Sequence, residues 1–276
     1  MTLTVVVTRP QPQAGEWVAR LEALGQAARA LPLMRIERVA AFDEGVARTW
    51  MVLSRHRLVM FVSPNAVLAF FAARPAGLRW PDTAWAGATG PGTVAALRAQ
   101  GVDAACIVSP PSDAATFDAE SLWTHALAQR DWTGQSVLVV RGEDGRDWLA
   151  DTLGRAGASV ACLAAYRRGP PLWPGALGEA LAAVAAQPTQ HVWLFSSSQC
   201  IAHLLAPDAP AADPALRAAV LAVPVLATHP RIAETARCSH RVLALNVSAT
   251  VMSCTAVMPR RYNPRSGMHT SAPQRP

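Results

Sequence analysis

The stretch VMFVSPNAVLAFF, residues 59–71, is an apolar run that stops at Ser63-Pro64-Asn65 and restarts with helical spacing. VWLFSSSQCIAHLL, residues 192–205, repeats that grammar. Each reads as a short buried strand, a hydroxyl-bearing turn and a helix. The echo extends along the chain: TVVVTRP (4–10) matches SVLVVRG (136–142), and LPLMRIER (31–38) matches LAAYRRGP (163–170), with Gly25 falling on Gly157 and Arg35 on Arg167. Farther on, Phe61-Val62-Ser63 matches Phe195-Ser196-Ser197, and GPGTVAAL (90–97) matches HPRIAETA (229–236). Pairs that recur in one order indicate a duplicated unit of roughly 130 residues, the size of a domain.

Within each unit, short β-branched strands alternate with amphipathic helices. Residues 14–24 place Trp17, Leu21 and Leu24 at helical spacing before Gly25 ends the run, and 147–157 repeats the pattern after the strand at 137–140. Strands separated by helices of this length predict parallel sheets covered on both faces. Residues 206–215, rich in proline and alanine, read as a surface loop, and 167–175 as a crossover between units.

In open parallel sheets ligands sit beyond the carboxyl ends of the strands. The turns predicted there carry Arg9, Ser63, Thr93, Arg141-Gly142, Ser197 and His229-Pro230-Arg231. Two such rims facing each other would line a cleft with guanidinium groups, hydroxyls and helix amides, all of which favour anions. For any one Ser or Thr in this set, helix capping alone is a sufficient explanation.

With 276 residues, 51% hydrophobic and 16% charged, the chain reads as globular. No run is long enough to cross a bilayer, and the five apolar residues before Arg9 are too few for a secretion signal, so a cytoplasmic protein is expected. The five cysteines are scattered with no metal-ligand spacing, which predicts buried free thiols and no metal. The net charge of +6 owes much to Arg260, Arg261, Arg265 and Arg275 in an acid-free C-terminal stretch, and the remainder is nearly balanced. A nucleic-acid partner is therefore not expected. All 25 basic residues are arginine, which excludes a Schiff-base or P-loop lysine and suits bidentate binding of carboxylates.

VVVTRPQPQAGEWVARLEALG, FVSPNAV, VLVVRGEDGRDWLADTLGRAGASVACLAAYRR and LATHPRIAETA, in that order, resemble the uroporphyrinogen-III synthase family over about residues 3–245. The resemblance implies a fold of two pseudo-repeated parallel-sheet α/β domains joined by a two-stranded ladder with a cleft between them. One domain would comprise 1–35 and 171–247 and the other 41–163, with 36–40 and 164–170 as connecting strands. It further implies a monomeric, cofactor-free lyase that cyclises the linear tetrapyrrole hydroxymethylbilane to uroporphyrinogen III. Water is lost and the last ring inverted through a spiro intermediate. A transient contact with the enzyme that supplies the bilane fits the same picture.

Tyr166, one of only two tyrosines, matches the family's cleft tyrosine, to which the resemblance assigns proton donation to the departing hydroxyl. A packed ladder aromatic is the plain alternative. Thr93 matches another cleft position of the family. Ser63 and Ser197 are expected to offer hydroxyls or amides, Arg9, Arg141 and Arg146 to meet carboxylates, and His229 either to cap its helix or to move protons. The chain departs from the family at 248–276, which is expected to form an atypical, disordered tail. A non-catalytic two-lobed receptor for an anionic small molecule is the competing reading.

Overall fold

A strand that is apolar at every residue needs cover on both faces, and the runs quoted above are used in that way. The computed structural model of the chain describes residues 3–145, 147–239 and 242–245. In chain order the strands are β1 (Thr4–Val7), β2 (Ala28–Ala30), β3 (Arg35–Glu37), β4 (Leu58–Phe61), β5 (Trp85–Ala88), β6 (Ile107–Val108), β7 (Ser136–Gly142), β8 (Ser159–Gly169), β9 (His191–Phe195), β10 (Val225–Ala227) and β11 (Val242–Leu245).

One parallel sheet has the order β11-β10-β9-β1-β2. The other has the order β3-β8-β7-β4-β5-β6 and is parallel except for β3. That strand runs antiparallel to the far end of β8, with Arg35 opposite Gly169, Ile36 opposite Arg168 and Glu37 opposite Arg167. The two α/β lobes are joined by this ladder.

The sequence repeat and the sheets do not coincide. Strands β1 and β7 are equivalent in the repeat, as are β4 and β9, and each sheet pairs one member of each couple at its centre: β1 with β9, β7 with β4. Each lobe thus takes strands from both copies.

Alternation along the central strands fills a core on each side. Val59 and Phe61 of β4 enter one cluster with Leu138 and Val140 of β7, while Leu58, Met60, Val137 and Val139 enter the cluster on the opposite face. Val6, Trp193 and Phe195 divide in the same way from Val5, Val7, Val192 and Leu194 in the first sheet. Each such residue, fully buried, contributes about 1.5–3 kcal/mol of transfer free energy. Trp50, Phe61, Phe70, Phe71 and Trp80 form an aromatic nest with centroid separations of 4.8 to 6.3 Å.

Helix Gln13–Ala23 buries Trp17 and Leu21 and ends at Gly25, whose φ of 76° suits a residue without a side chain. Leu24, expected on the buried face, is 54% exposed, because it lies at the C-cap where the chain has already turned away. The 206–215 segment is more ordered than a surface loop: Ala209 and Ala211 are buried, and a helix begins at Pro214. Residue 146 and the expected tail, 248–276, lie outside the described residues. Among the described residues no helix is long and apolar enough to cross a membrane.

The expectation of uniformly buried thiols is corrected by the structure. Cys106 and Cys200 are buried, but Cys162 and Cys238 are exposed. Cys162 sits on β8 before β3 joins it, at the sheet's margin. Cys238 follows the helix Pro230–Arg237, at its C-cap. Burial pushes the Cys200 thiol up to about 12, so it stays protonated and unreactive near neutrality. Brief treatment of the native protein with iodoacetamide at pH 8, followed by peptide mass spectrometry, is expected to label Cys162 and Cys238 and to spare Cys106 and Cys200. Rapid labelling of Cys200 would contradict the packing described.

Candidate active site

Ser63 closes β4 and caps the helix Pro64–Ala72, its Oγ accepting from the Ala66 amide at 3.2 Å. Ser197 does the same after β9, accepting from Gln199 at 3.2 Å. The repeated turns are therefore real caps, and what distinguishes Ser63 is its second contact. Its Oγ lies 3.0 Å from the Tyr166 phenol oxygen, where either hydroxyl can donate.

Tyr166 reaches that point because of two local features. The register of β7 on β8 shifts between Arg141 and Gly142, so that Arg141 faces Ala164 while Gly142 faces Tyr166. A bulge of this kind re-aims the side chain that follows it. The ring then lies against Gly142, where an added Cβ would stand 3.1 Å from Cε2 and 3.2 Å from Cζ. Only 4% of Tyr166 is exposed, its ring belonging to the core beside Phe61 and Val140.

The phenol borders a cavity of about 350 Å³ at the carboxyl ends of β4, β5, β7 and β8. Ser63, Thr89, Arg141, Gly142, Tyr166 and Arg168 line it, and Arg231 reaches it from the other lobe. Of the residues singled out in the sequence, the structure gathers Ser63, Arg141, Gly142, Tyr166 and Arg231 here. Thr93 does not join them: it is 3% exposed, buried within the first turn of the helix Pro91–Ala99. Arg9 and Ser197 belong to the opposite rim, beyond β1 and β9.

Two of the expected anion partners already hold carboxylates. Arg141 Nη1 donates to Asp147 at 2.5 Å. Arg231 donates to Glu120 at 3.1 Å and stands 3.6 Å from Asp118. The contact made by Arg231 is half of a latch across the cleft. His229 Nδ1 accepts from the Arg231 amide, which caps the helix Pro230–Arg237 and leaves the hydrogen on Nε2 for Asp118 Oδ2, 3.1 Å away. Asp118 caps its own helix through Ser121 at the same time. With both ring nitrogens engaged, His229 is a cap and a clasp. A second cross-lobe contact runs from Gln13 Nε2 to Asn65 Oδ1 at 2.9 Å.

Arg9 differs from these. Its guanidinium lies 5.1 Å from the centre of the Trp17 ring, and Nε is secluded with no acceptor among the described residues. Burial pulls it below the ordinary arginine value, while Cys200 and Glu16 pull the other way. Arg168, Asp118 and Glu120 were not singled out from the sequence. Strand periodicity could have found Arg168, two residues past Tyr166 on the same face. Among the described residues, no group of three or more His, Cys, Asp or Glu side chains is placed to hold a metal ion.

The variant Asp118→Asn keeps the cap on Ser121 but removes the charge from the latch. It is expected to lower stability by about 1 kcal/mol, as loss of a charge-assisted contact does, measured as a shift in the urea midpoint. An unchanged midpoint would show that the latch carries no weight in the resting protein.

The match to known proteins agrees with this architecture. A crystal structure of a mutant uroporphyrinogen III synthase from the extreme thermophile Thermus thermophilus superposes with a TM-score of 0.54 at 17% identity, covering 92% of this chain and 96% of that one. The uroporphyrinogen-III synthetase of Helicobacter pylori gives 0.51 at 13% identity, covering 90% and 96%. Such identities speak for the fold alone. In sequence, uroporphyrinogen-III synthases of Salmonella typhimurium and Escherichia coli are 31% and 28% identical over 169 and 167 residues, 60% of this chain in each case. The aligned part spans 65% of the length of each of these relatives. The family described as Uroporphyrinogen-III synthase HemD matches residues 15–254, most of the chain, and the protein therefore belongs to that family.

Proposed function

We propose that the chain is a uroporphyrinogen-III synthase that closes hydroxymethylbilane to uroporphyrinogen III, with Tyr166 as its proton donor. The observation that carries this reading is the Tyr166–Ser63 hydroxyl pair, set over Gly142 at the edge of the cavity. In this scheme the terminal C–O bond of the substrate breaks as the phenol gives its proton to the departing hydroxyl. Water leaves, and the pyrrole nitrogen stabilises the cationic azafulvene. Ring D attacks that carbon through its substituted position to give the spiro intermediate, which fragments and recloses with the ring inverted. The proton lost on final aromatisation returns to the phenolate, so the balance is the loss of one water.

Ser63, anchored by the Ala66 amide, orients the phenol. The remainder of catalysis is positioning, because a bilane whose ends must meet gains most from a cleft that folds it. Arg9, Arg141, Arg231, Gly142, Ser197 and His229 would receive or border the substrate's carboxylates. The enzyme is proposed to act as a cytoplasmic monomer without metal or organic cofactor, taking its substrate from the enzyme that makes it. The lobes would comprise 1–35 with 171–247, and 41–163.

Unassisted closure joins the chain ends without inversion and gives the type I isomer, so product identity is decisive. Incubation of hydroxymethylbilane with the protein, followed by oxidation and isomer separation, is expected to yield uroporphyrin III. Type I alone would overturn the proposal in favour of a non-catalytic receptor. Tyr166→Phe is expected to lower kcat about a hundredfold with little change in KM, in line with loss of a general acid. Ser63→Ala, which removes one hydrogen-bond partner, should lower it about fivefold. A Tyr166→Phe enzyme as fast as wild type would remove the phenol from the mechanism.

A further inference from the structure

Among the described residues, the cavity beside Tyr166 has three arginines in its wall, Arg141, Arg168 and Arg231. Two are occupied: Arg141 holds Asp147, and Arg231 holds Glu120 and stands near Asp118. Arg168 is half-buried and has no such partner. Its Nη2 donates to the Asp144 backbone carbonyl, and no carboxylate of the described residues lies within ion-pair distance of it. Its Nε is sealed from solvent without an acceptor, an arrangement that native folds seldom keep without a reason. The next residue back gives the contrast. Arg167 stands on the other face of β8, where Nε and Nη2 both donate to Glu143. One strand thus turns a matched guanidinium outward and an unmatched one to the cavity.

We propose that Arg168 is a substrate-binding residue that receives a carboxylate of the pyrrole ring on which the Tyr166 phenol acts. Tyr166 and Arg168 are alternate residues of one strand, so they share a face and stand about 7 Å apart along it. That separation matches the reach from the departing hydroxyl to an acidic side chain on the same ring. At about 350 Å³ the cavity lies at the small end of ligand pockets, so it takes one ring or edge of a tetrapyrrole and not all of it. Phe117, Trp148 and Leu149 give that ring an apolar wall. The Asp144 carbonyl holds the guanidinium plane in place, while Nη1 has no hydrogen-bond acceptor among the described residues and, unlike Nε, is not sealed off. Arg141 and Arg231 must release protein carboxylates before they can take a ligand's, whereas Arg168 has none to release. A planar, fixed guanidinium is suited to a carboxylate at this position. The identity of the ligand rests on the synthase reading above.

The test compares the full chain with its variants Arg168→Gln and Arg168→Lys and, as a control on the opposite face of the strand, Arg167→Gln. Affinity for uroporphyrin I, a stable octacarboxylate, is read from quenching of tryptophan fluorescence, Trp148 being part of the cavity wall. Turnover of hydroxymethylbilane and the melting temperature are measured separately. Arg168→Gln is expected to weaken porphyrin binding and raise KM about tenfold, equivalent to about 1.4 kcal/mol. Its kcat should stay within about threefold of wild type, the pattern of lost uniform binding. Arg168→Lys, which keeps the charge without the fork, should bind about threefold more weakly than wild type. Arg167→Gln should bind as wild type does, because Glu143 already matches that charge. Wild-type affinity in Arg168→Gln would overturn the assignment. So would a loss shared equally by Arg167→Gln, or one that merely follows a lower melting temperature, the mark of a residue that only staples the turn at Asp144. Should Arg168→Gln fail to fold, Arg168→Lys decides, with wild-type affinity overturning the assignment. A wild-type protein that makes only the type I isomer would count against the synthase reading, while the porphyrin titration would still judge Arg168.

Discussion

The eleven residues of β8, Ser159–Gly169, hydrogen-bond in two directions at once. The strand lies parallel to β7 within one sheet and, over its last three residues, antiparallel to β3, which leads in from the other lobe. Tyr166 and Arg168 fall where these pairings meet. A strand engaged on both sides cannot rotate, so its alternation is fixed: Tyr166 and Arg168 toward the cavity, Arg167 toward Glu143. The bulge opposite Gly142 and the absence of a side chain there do the rest. The lobes could change their separation while the phenol, Ser63 and Gly142 stayed together as one rigid group, since all three belong to the same sheet or to the turn that closes one of its strands.

Electrostatics divides the cleft. On one side acidic residues of the second lobe meet His229 and Arg231 of the first, and the two helix N-termini that face each other are each capped by a side chain that also reaches across. Elsewhere the Nε atoms of Arg9 and Arg168 are buried without an acceptor among the described residues. Partly exposed pairs such as Arg231–Glu120 are worth little individually. Together they keep Arg231 occupied in the resting protein.

Much of the fold was legible in the sequence because its signals are local. Continuous apolar runs announce strands covered on both faces, Pro64, Pro91 and Pro230 stand at the first turn of helices where a missing amide hydrogen costs nothing, and Gly25 marks a helix end. Tyr166 and Ser63 could be named from resemblance, but their hydrogen bond joins residues 103 apart. Leu24 and the exposed thiols Cys162 and Cys238 were misjudged for the complementary reason: periodicity and composition say how apolar a residue is, whereas burial depends on whether another element covers it. Arg168 lay within reach of a local rule, the two-residue period of a strand, once Tyr166 had been placed.

The sequence by itself determined the strands and helices, the duplication, and the turns on which a ligand would be met, since each follows from the order of residues within a few turns of chain. The tertiary structure decided how the copies combine. Each sheet centres on a strand from either copy, β1 beside β9 and β7 beside β4, because strand pairing is set by which apolar faces can be buried together and not by chain order. It also decided which arginines are neutralised. The partners of Arg231 and His229 lie 111 residues away on the opposite lobe. A charge's role is fixed by its neighbours in space, which depend on how the lobes dock.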